Sequence, residues 1–324
     1  MPEASRYEIQ PVDADDTWDR FVAKATGGNL FVRAPWLQCA QLAGAGEPVI
    51  RGAYDKGNLV AAVVGMSTQG RVKRLATAPL LPHSGFLFRE PLSDQLPRQE
   101  AERNACWQAL LPDLATYQHV HLSCAPAVFD MREALWAKWQ VHPRYTYLID
   151  LSADRQALWD GLERRTRTVI RKAETAGFRV EPADAEGFAE LYRLTYGHTR
   201  PPVDADVTQR FVTAAVEQGL VEGYRAVTAS GETAATVFFA TDTTRARLYA
   251  WVAGADPAYR DSGASALLYW KVLEATEAES FDFVGANMAS IALFKRGFGG
   301  RLVSYYAMEK WNSSWRGLVA SMRG

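Results

Sequence analysis

The chain has 324 residues, 48% hydrophobic and 23% charged, with a formal net charge of −1. It is long enough for two domains with separate cores, and its near-zero charge excludes a global field for nucleic acid or a membrane surface. Any anion site must be local.

The start, MPEASRYEIQ, lacks the apolar core of a signal peptide. No uncharged apolar run approaches the roughly 18 residues of a spanning helix, so the expected compartment is the cytoplasm. The first periodic stretch, IRGAYDKGNLVAAVV at 50–64, reads as an alternating strand, a turn ending in Gly57 and a mostly apolar strand. RVKRLAT at 71–77 is a third strand. The Pro- and Gly-punctuated TAPLLPHSGFLFRE at 77–90 is expected to be a loop lining a cleft between domains, with His83 as a candidate acceptor contact. VHLSCA at 120–125 follows as a short buried strand, AVFDMREALWAKW as an apolar-patterned helix and RYTYLIDL at 144–151 as a strand.

The domain boundary is placed at 152, giving domains 1–152 and 153–324. There DLSADRQALWDGLERRTRTVIRKAETAGFRV runs from a Ser or Asp cap through one long helix, 155–176, to Gly177. Arg164, Arg167 and Arg171 are spaced i, i+3, i+7 on it, flanked by Arg165, Thr168 and Lys172, and Leu158, Leu162, Val169 and Ala173 supply the buried face. Only Glu163 and Glu174 balance the stripe nearby, which makes it a candidate phosphate site as well as a solvated face. LYRLTYGHTRPP ends the next helix with Tyr192, Tyr196, His198 and Arg200; Tyr196 and Arg200 are candidate acceptor contacts.

From here the chain repeats itself. YRAVTASGETAATVF at 224–238 is a second hairpin, and RARLYAW at 245–251 a second third strand. Placing Gly57 on Gly231 aligns Arg51 with Arg225 and Arg71 with Arg245. The loop Arg260-Asp261-Ser262-Gly263-Ala264-Ser265 leads into the helix SALLYWKVLEAT; FDFVGA at 281–286 is a strand, IALFKRGFGG at 291–300 a short helix and RLVSYYAMEKW at 301–311 the last strand.

Two copies of this order suggest a tandem fold of the GNAT acyltransferase superfamily. The second copy resembles the Fem family of peptidyltransferases. Asp282-Phe283-Val284-Gly285 is similar to its D-F-x-G strand, and Phe294-Lys295-Arg296-Gly297-Phe298-Gly299 to its F-K-x-x-F-G segment. RRTRTVIRKAETAGFRV resembles the basic helix that opens the second Fem domain, and NLFVRAPWLQ is similar to the entry of the first. The likeness is good over 155–310 and fold-level over 1–150. It implies an α/β fold of two GNAT-like domains with mixed, mostly antiparallel sheets, the first on the acceptor side and the second on the donor side. It further implies an aminoacyltransferase that moves an amino acid from aminoacyl-tRNA, its co-substrate, to the amine of a peptide. The acceptor would be a cell-wall precursor or a peptide natural product, and no metal or other cofactor is needed. Several Fem proteins insert a long helical hairpin in the second domain, and this chain has no room for one.

Amide formation from an activated ester needs a positioned amine, a stabilised oxyanion and proton removal. A covalent nucleophile is unnecessary, in keeping with the lack of a Ser/His/Asp or Cys/His arrangement. Lys295 is the oxyanion candidate; one preorganised donor is typically worth about 3 kcal/mol or more. The competing expectation is a lysine that snorkels from a core helix. Phe294 and Phe298 would wall it off from water. Asp282 stands in an apolar strand where a bare carboxylate is expensive, so it pairs with an arginine or hydroxyl, or acts as a base near Lys295.

Arg260, Gly263 and Ser265 occupy the place of the GNAT R/Q-x-x-G-x-G/A loop, whose backbone N–H groups grip an acyl-CoA pyrophosphate; in a Fem-like protein that loop faces the tRNA 3′ end. His119, His121 and His142 alternate with strand residues and show no ligand spacing, and Cys39, Cys106 and Cys124 are too scattered for a disulfide framework or a zinc site. Two other functions stay open at this point. One is an acyl-CoA-dependent N-acyltransferase, the other a non-catalytic binding module on the same fold.

Overall fold

A computed structural model describes residues 6–197 and 201–312. The first half contains β1 (Glu8–Pro11), α1 (Asp16–Lys24), α2 (Ala34–Leu42), β2 (Glu47–Asp55), β3 (Asn58–Thr68), β4 (Arg74–Ala76), β5 (Gly85–Phe88), α3 (Leu96–Asp113), β6 (His119–Ser123), α4 (Arg132–Trp136) and β7 (Gln140–Asp150). The second contains α5 (Arg155–Gly161), α6 (Arg164–Thr175), β8 (Arg179–Ala183), α7 (Phe188–Tyr196), α8 (Ala205–Glu217), β9 (Val221–Val227), β10 (Thr233–Asp242), β11 (Arg247–Ala255), α9 (Ala264–Ala275), β12 (Ser280–Asp282), α10 (Ala289–Arg296) and β13 (Arg301–Trp311).

Two compact units result. One takes the chain up to Arg144 together with Ser304 onward; the other takes Tyr145–Val303. The first unit orders its strands β1-β2-β3-β4-β6-β13, with β5 beside β3. All its pairs are antiparallel except β4 with β6. The second orders them β7-β12-β11-β10-β9-β8, and there only β11 and β12 run parallel. A hairpin, a third antiparallel strand and a parallel crossover strand therefore occur twice, as the internal repeat predicts. The matched arginines of the repeat are both ion-paired, but to different elements: Arg51 to Asp113 at the end of α3 at 2.8 Å and Arg225 to Glu181 of β8 at 2.8 Å. Each unit is completed by the strand that closes the other half of the sequence: β7 from Tyr145 onward pairs with β12, and β13 from Ser304 onward pairs with β6. Among the described residues no long helical hairpin is inserted, and no helix is long and apolar enough to cross a membrane.

Several expected boundaries move. The third strands begin at Arg74 and Arg247, not at Arg71 and Arg245. The stretch 77–90 is not all loop, because Gly85–Phe88 forms β5, buried throughout and paired with β3. The helix drawn over AVFDMREALWAKW shrinks to α4. The largest change is at 155–176, where one expected helix is two. Leu162 and Glu163 both take extended backbone (ψ 144°), and the freed Glu163 N–H donates to Gly297 O at 2.9 Å. The break re-phases the second piece. Leu162, Thr166, Ile170 and Ala173 become its buried face, while Leu158 and Val169 are half-buried at the margin.

In the second unit alternate β10 residues serve opposite faces, as strand geometry requires. Phe238 packs edge-on to Phe188 of α7, and Phe239 packs edge-on to Tyr269 of α9. Side chains of α6, α9 and α10 share one apolar core with this second face.

Candidate active site

Pairing between β11 and β12 stops at Tyr249–Asp282, yet β11 runs on to Ala255. The two parallel strands therefore part beyond this point. A β-bulge sits at the same level: Val252 pairs with Phe238 and Ala250 with Phe239, leaving Trp251 as the extra residue. Crevices beyond the carboxyl ends of parallel strands are where ligands bind in open α/β sheets. The turn that follows β12 begins where this pairing ends.

The turn after β12 is unusual. Val284 (φ 55°) and Gly285 (φ 86°) both adopt left-handed backbone. For a β-branched residue this is strained by about 1–3 kcal/mol and persists only where the surroundings over-determine it. Here they do. Asp282 Oδ1 accepts from Val284 N at 2.8 Å and from the Thr146 hydroxyl at 2.6 Å, and Thr146 Oγ1 accepts from Gly285 N at 3.1 Å. Phe283 N and Ala286 N donate to the carbonyls of Tyr147 (3.1 Å) and Tyr145 (2.6 Å) on β7, and Asn287 Oδ1 accepts from Tyr145 N at 2.9 Å.

With its N–H groups turned outward to these partners, the turn aims three carbonyls inward at one cation. Lys295 Nζ donates to Phe283 O (2.6 Å), Gly285 O (2.5 Å) and Val284 O (3.3 Å). The side chain is 9% exposed, so Lys295 does not snorkel. Burial pushes its ammonium down to about 8, with the Asp282 charge pulling the other way. Its surroundings are aromatic. The Phe283 ring centroid lies 5.8 Å from Nζ, and Phe283 meets Phe298 at 5.3 Å and Tyr269 at 5.5 Å. Phe294, half-buried, closes the outer side against Phe298 (5.3 Å) and Tyr269 (5.5 Å). The structure thus brings Lys295, Phe294 and Asp282 into one constellation, and it answers how Asp282 is satisfied: by a hydroxyl and a backbone N–H, with no direct ion pair to Lys295 among the described contacts.

The expected donor loop sits at the head of α9. Ser262 Oγ donates to Tyr259 O at 2.7 Å and accepts from Ala264 N at 3.1 Å, which fixes the entry to the helix. Gly263 (φ 86°) lies so close to α6 that a Cβ there would stand 2.1 Å from Val169 O. Lys172 Nζ donates to Asp261 O at 3.1 Å. The loop and the basic helix are therefore one surface, on which Arg164, Arg171 and Arg260 are exposed and Ser265 half-buried. Arg171 stacks its guanidinium over the Trp159 ring at 5.3 Å. Arg167 leaves the stripe: its Nη1 donates to the carbonyls of Asp160 (2.7 Å) and Leu162 (2.6 Å), capping the end of α5. A guanidinium satisfied in this way holds the helix break together and is turned from the exposed face.

Of the acceptor candidates, His83 belongs to the first unit and is 3% exposed, edge-on to Tyr305 at 4.9 Å. Tyr196 is half-buried at the end of α7, its ring 5.1 Å from that of Tyr192. Arg200 and His198 lie outside the described residues. His119 Nε2 donates to the Glu309 carboxylate at 2.7 Å and its ring stacks on Trp311 at 4.2 Å, and no group of three or more acidic, histidine or cysteine side chains among the described residues could hold a metal ion. Sequence reasoning missed Thr146. It is fully buried on β7, and nothing in RYTYLIDL distinguishes it from any other inward strand residue.

Comparison with known proteins agrees with this topology. Residues 162–296 match the family described as acetyltransferase (GNAT) domain. No curated protein matches the sequence. Among solved structures, FemX superposes with a TM-score of 0.66 at 13% identity, over 92% of this chain and 96% of that one. A tandem GNAT protein from the clavulanic acid biosynthesis pathway gives 0.54 at 14% identity, over 95% and 99% of the two chains. L-PGS from Bacillus licheniformis gives 0.53 at 13%, over 96% of each. The duplicated topology is therefore that of tandem GNAT and Fem-like proteins, and residues 162–296, Lys295 among them, carry the likeness to a GNAT acetyltransferase domain.

Proposed function

We propose that the protein is a Fem-like aminoacyltransferase, which moves an amino acid from aminoacyl-tRNA to the amine of a peptide acceptor such as a cell-wall precursor or a peptide natural product. The observation that carries this reading is the buried Lys295 ammonium, held where β11 and β12 part. In the reaction the acceptor nitrogen attacks the ester carbonyl carbon, forming the C–N bond and leaving a tetrahedral oxyanion. Collapse breaks the C–O bond to the tRNA ribose, and the amine proton goes to the departing oxygen or to water. Lys295 supplies the full positive charge for the oxyanion in an aromatic, nearly dry environment. The Val284 carbonyl, at 3.3 Å the longest of its three contacts, is the one an arriving oxygen would displace. Asp282 and Thr146 hold the turn that aims the lysine. Arg164, Arg171 and Arg260, with the Gly263–Ser265 start of α9, supply the phosphate-binding face for the tRNA 3′ end.

Acyl-CoA as donor is the second reading, favoured by the loop fixed at the head of α9 and by the match to an acetyltransferase family. One assay separates the two. Purified protein is incubated with a peptide amine and either charged tRNA or acetyl-CoA. Product formation abolished by RNase supports tRNA; activity that survives RNase with release of free CoA overturns it. If neither donor supports turnover, the site is a binding module.

The exposed basic face gives a quantitative check. Replacing both Arg164 and Arg171 with glutamate is expected to raise KM for charged tRNA by about tenfold or more, with kcat little changed. The plot of log affinity against log salt should flatten by about 1–2 units of slope as the phosphate contacts disappear. An unchanged salt slope would remove these arginines from the donor site.

A further inference from the structure

We infer that Thr146, on a strand remote in sequence from the lysine motif, is the positioning residue for Lys295 and sets the carbonyl cradle in which the ammonium works. This rests on the reading above, in which Lys295 faces the oxyanion. Thr146 is fully buried, and its hydroxyl contacts the turn at two points. It spends both its capacities there, donating to Asp282 Oδ1 and accepting from Gly285 N. These two groups lie on either side of Val284, the strained residue. One hydroxyl therefore ties the end of β12 to the far limb of the left-handed turn, and the carbonyls of Phe283, Val284 and Gly285 converge on Nζ because the N–H groups of the same peptides are anchored.

The energetic argument concerns which conformation the turn keeps when the lysine is asked to share its protons with a substrate. A left-handed Val-Gly pair has competing conformations of lower intrinsic energy. Without the hydroxyl, Gly285 N loses its buried acceptor and Asp282 loses one of two donors, so the turn relaxes toward them. Lys295 then follows its carbonyls. A catalytic group displaced by about 1 Å can lose roughly 100-fold in rate without any change in the chemistry available to it. Val at this position keeps the strand and the volume and removes only the hydroxyl; Ser restores the hydroxyl.

The test compares Thr146→Val, Thr146→Ser and Lys295→Met, with charged tRNA and a peptide amine as substrates. Thr146→Val is expected to lower kcat about 10- to 100-fold while KM for charged tRNA stays within about threefold, and Thr146→Ser to recover kcat to within about threefold of wild type. Amide hydrogen exchange over 283–287 should quicken about tenfold in Thr146→Val, an activity-independent sign that the turn has loosened. Wild-type kcat in Thr146→Val, or a kcat loss with unchanged exchange, overturns the inference. The two levels fail separately. If Lys295→Met keeps full turnover, the lysine reading itself falls; if Lys295→Met is inactive and Thr146→Val is not, only the positioning role falls.

Discussion

Replacing Lys295 with methionine lowers kcat by two to three orders of magnitude and leaves donor binding within a few-fold of wild type. The size follows from the loss of one preorganised, charged donor to a developing oxyanion, about 3–4 kcal/mol. Methionine preserves most of the apolar stem, so the aromatic packing of Phe283, Phe294 and Phe298 has little reason to change. The three carbonyls lose their donor, which also costs some stability, and thermal unfolding of the variant must accompany the kinetics. Unchanged turnover would take Lys295 out of the mechanism.

A pH profile makes the same claim without a mutation. The folded-state value, about 8, lies below the 10.5 of a free lysine. The active ammonium is fully formed below that point, so kcat should fall as pH rises through about 8. Between about 8 and 10.5 the unfolded chain still holds the proton that the folded chain has released, so on this account folding stability rises with pH. Activity and stability are thus expected to move in opposite directions across the window. A parallel fall of both would point to unfolding, and no fall in kcat would count against a protonated lysine in the rate-limiting step.

The fold was legible because its signals are periodic and repeated. Hairpins of alternating residues around Gly57 and Gly231, each followed by a third strand and a buried crossover strand, carry the duplication in the sequence itself. The lysine was legible because a cation inside IALFKRGFGG contradicts its neighbours. What the pattern could not reveal is whether a single glycine inside a helical pattern ends the helix or is carried through it. Helix 155–176 reads as continuous across Gly161, since Leu162 and Glu163 are ordinary helix formers, and its break is set by the distant Gly297 carbonyl and by Arg167. For the same reason Arg167 reads as part of the phosphate stripe: its spacing is right, but the break gives it carbonyls to cap. Short β5 was hidden among prolines and glycines, because its strand state depends on pairing with β3. Thr146 was invisible for a related reason. Its role exists only because β7 pairs antiparallel with β12, bringing a hydroxyl to a carboxylate 136 positions away.

Gly263→Ala tests whether the head of α9 is welded to α6, as the donor surface requires. Two effects add. The residue is left-handed at φ 86°, and its new Cβ would stand 2.1 Å from Val169 O and 2.8 Å from the carbonyl carbon. A backbone atom cannot swing aside as a flexible side chain can, so the loop must lift off the helix. Strain and overpacking of this kind together cost roughly 2–4 kcal/mol. For a unit of this size that corresponds to a Tm lower by about 5–12 °C. Gly57→Ala is the matched control. Gly57 is also left-handed, at φ 80°, but a Cβ there meets nothing within 4 Å, so only the backbone preference of about 1 kcal/mol remains. Calorimetry should therefore separate the two variants clearly. KM for the donor should rise in Gly263→Ala alone, because only there do the Arg260 and Ser265 groups shift relative to Arg164 and Arg171. Equal Tm values for the two variants would show that α6 yields freely at Val169, and the basic helix and the loop would then have to be treated as separate surfaces.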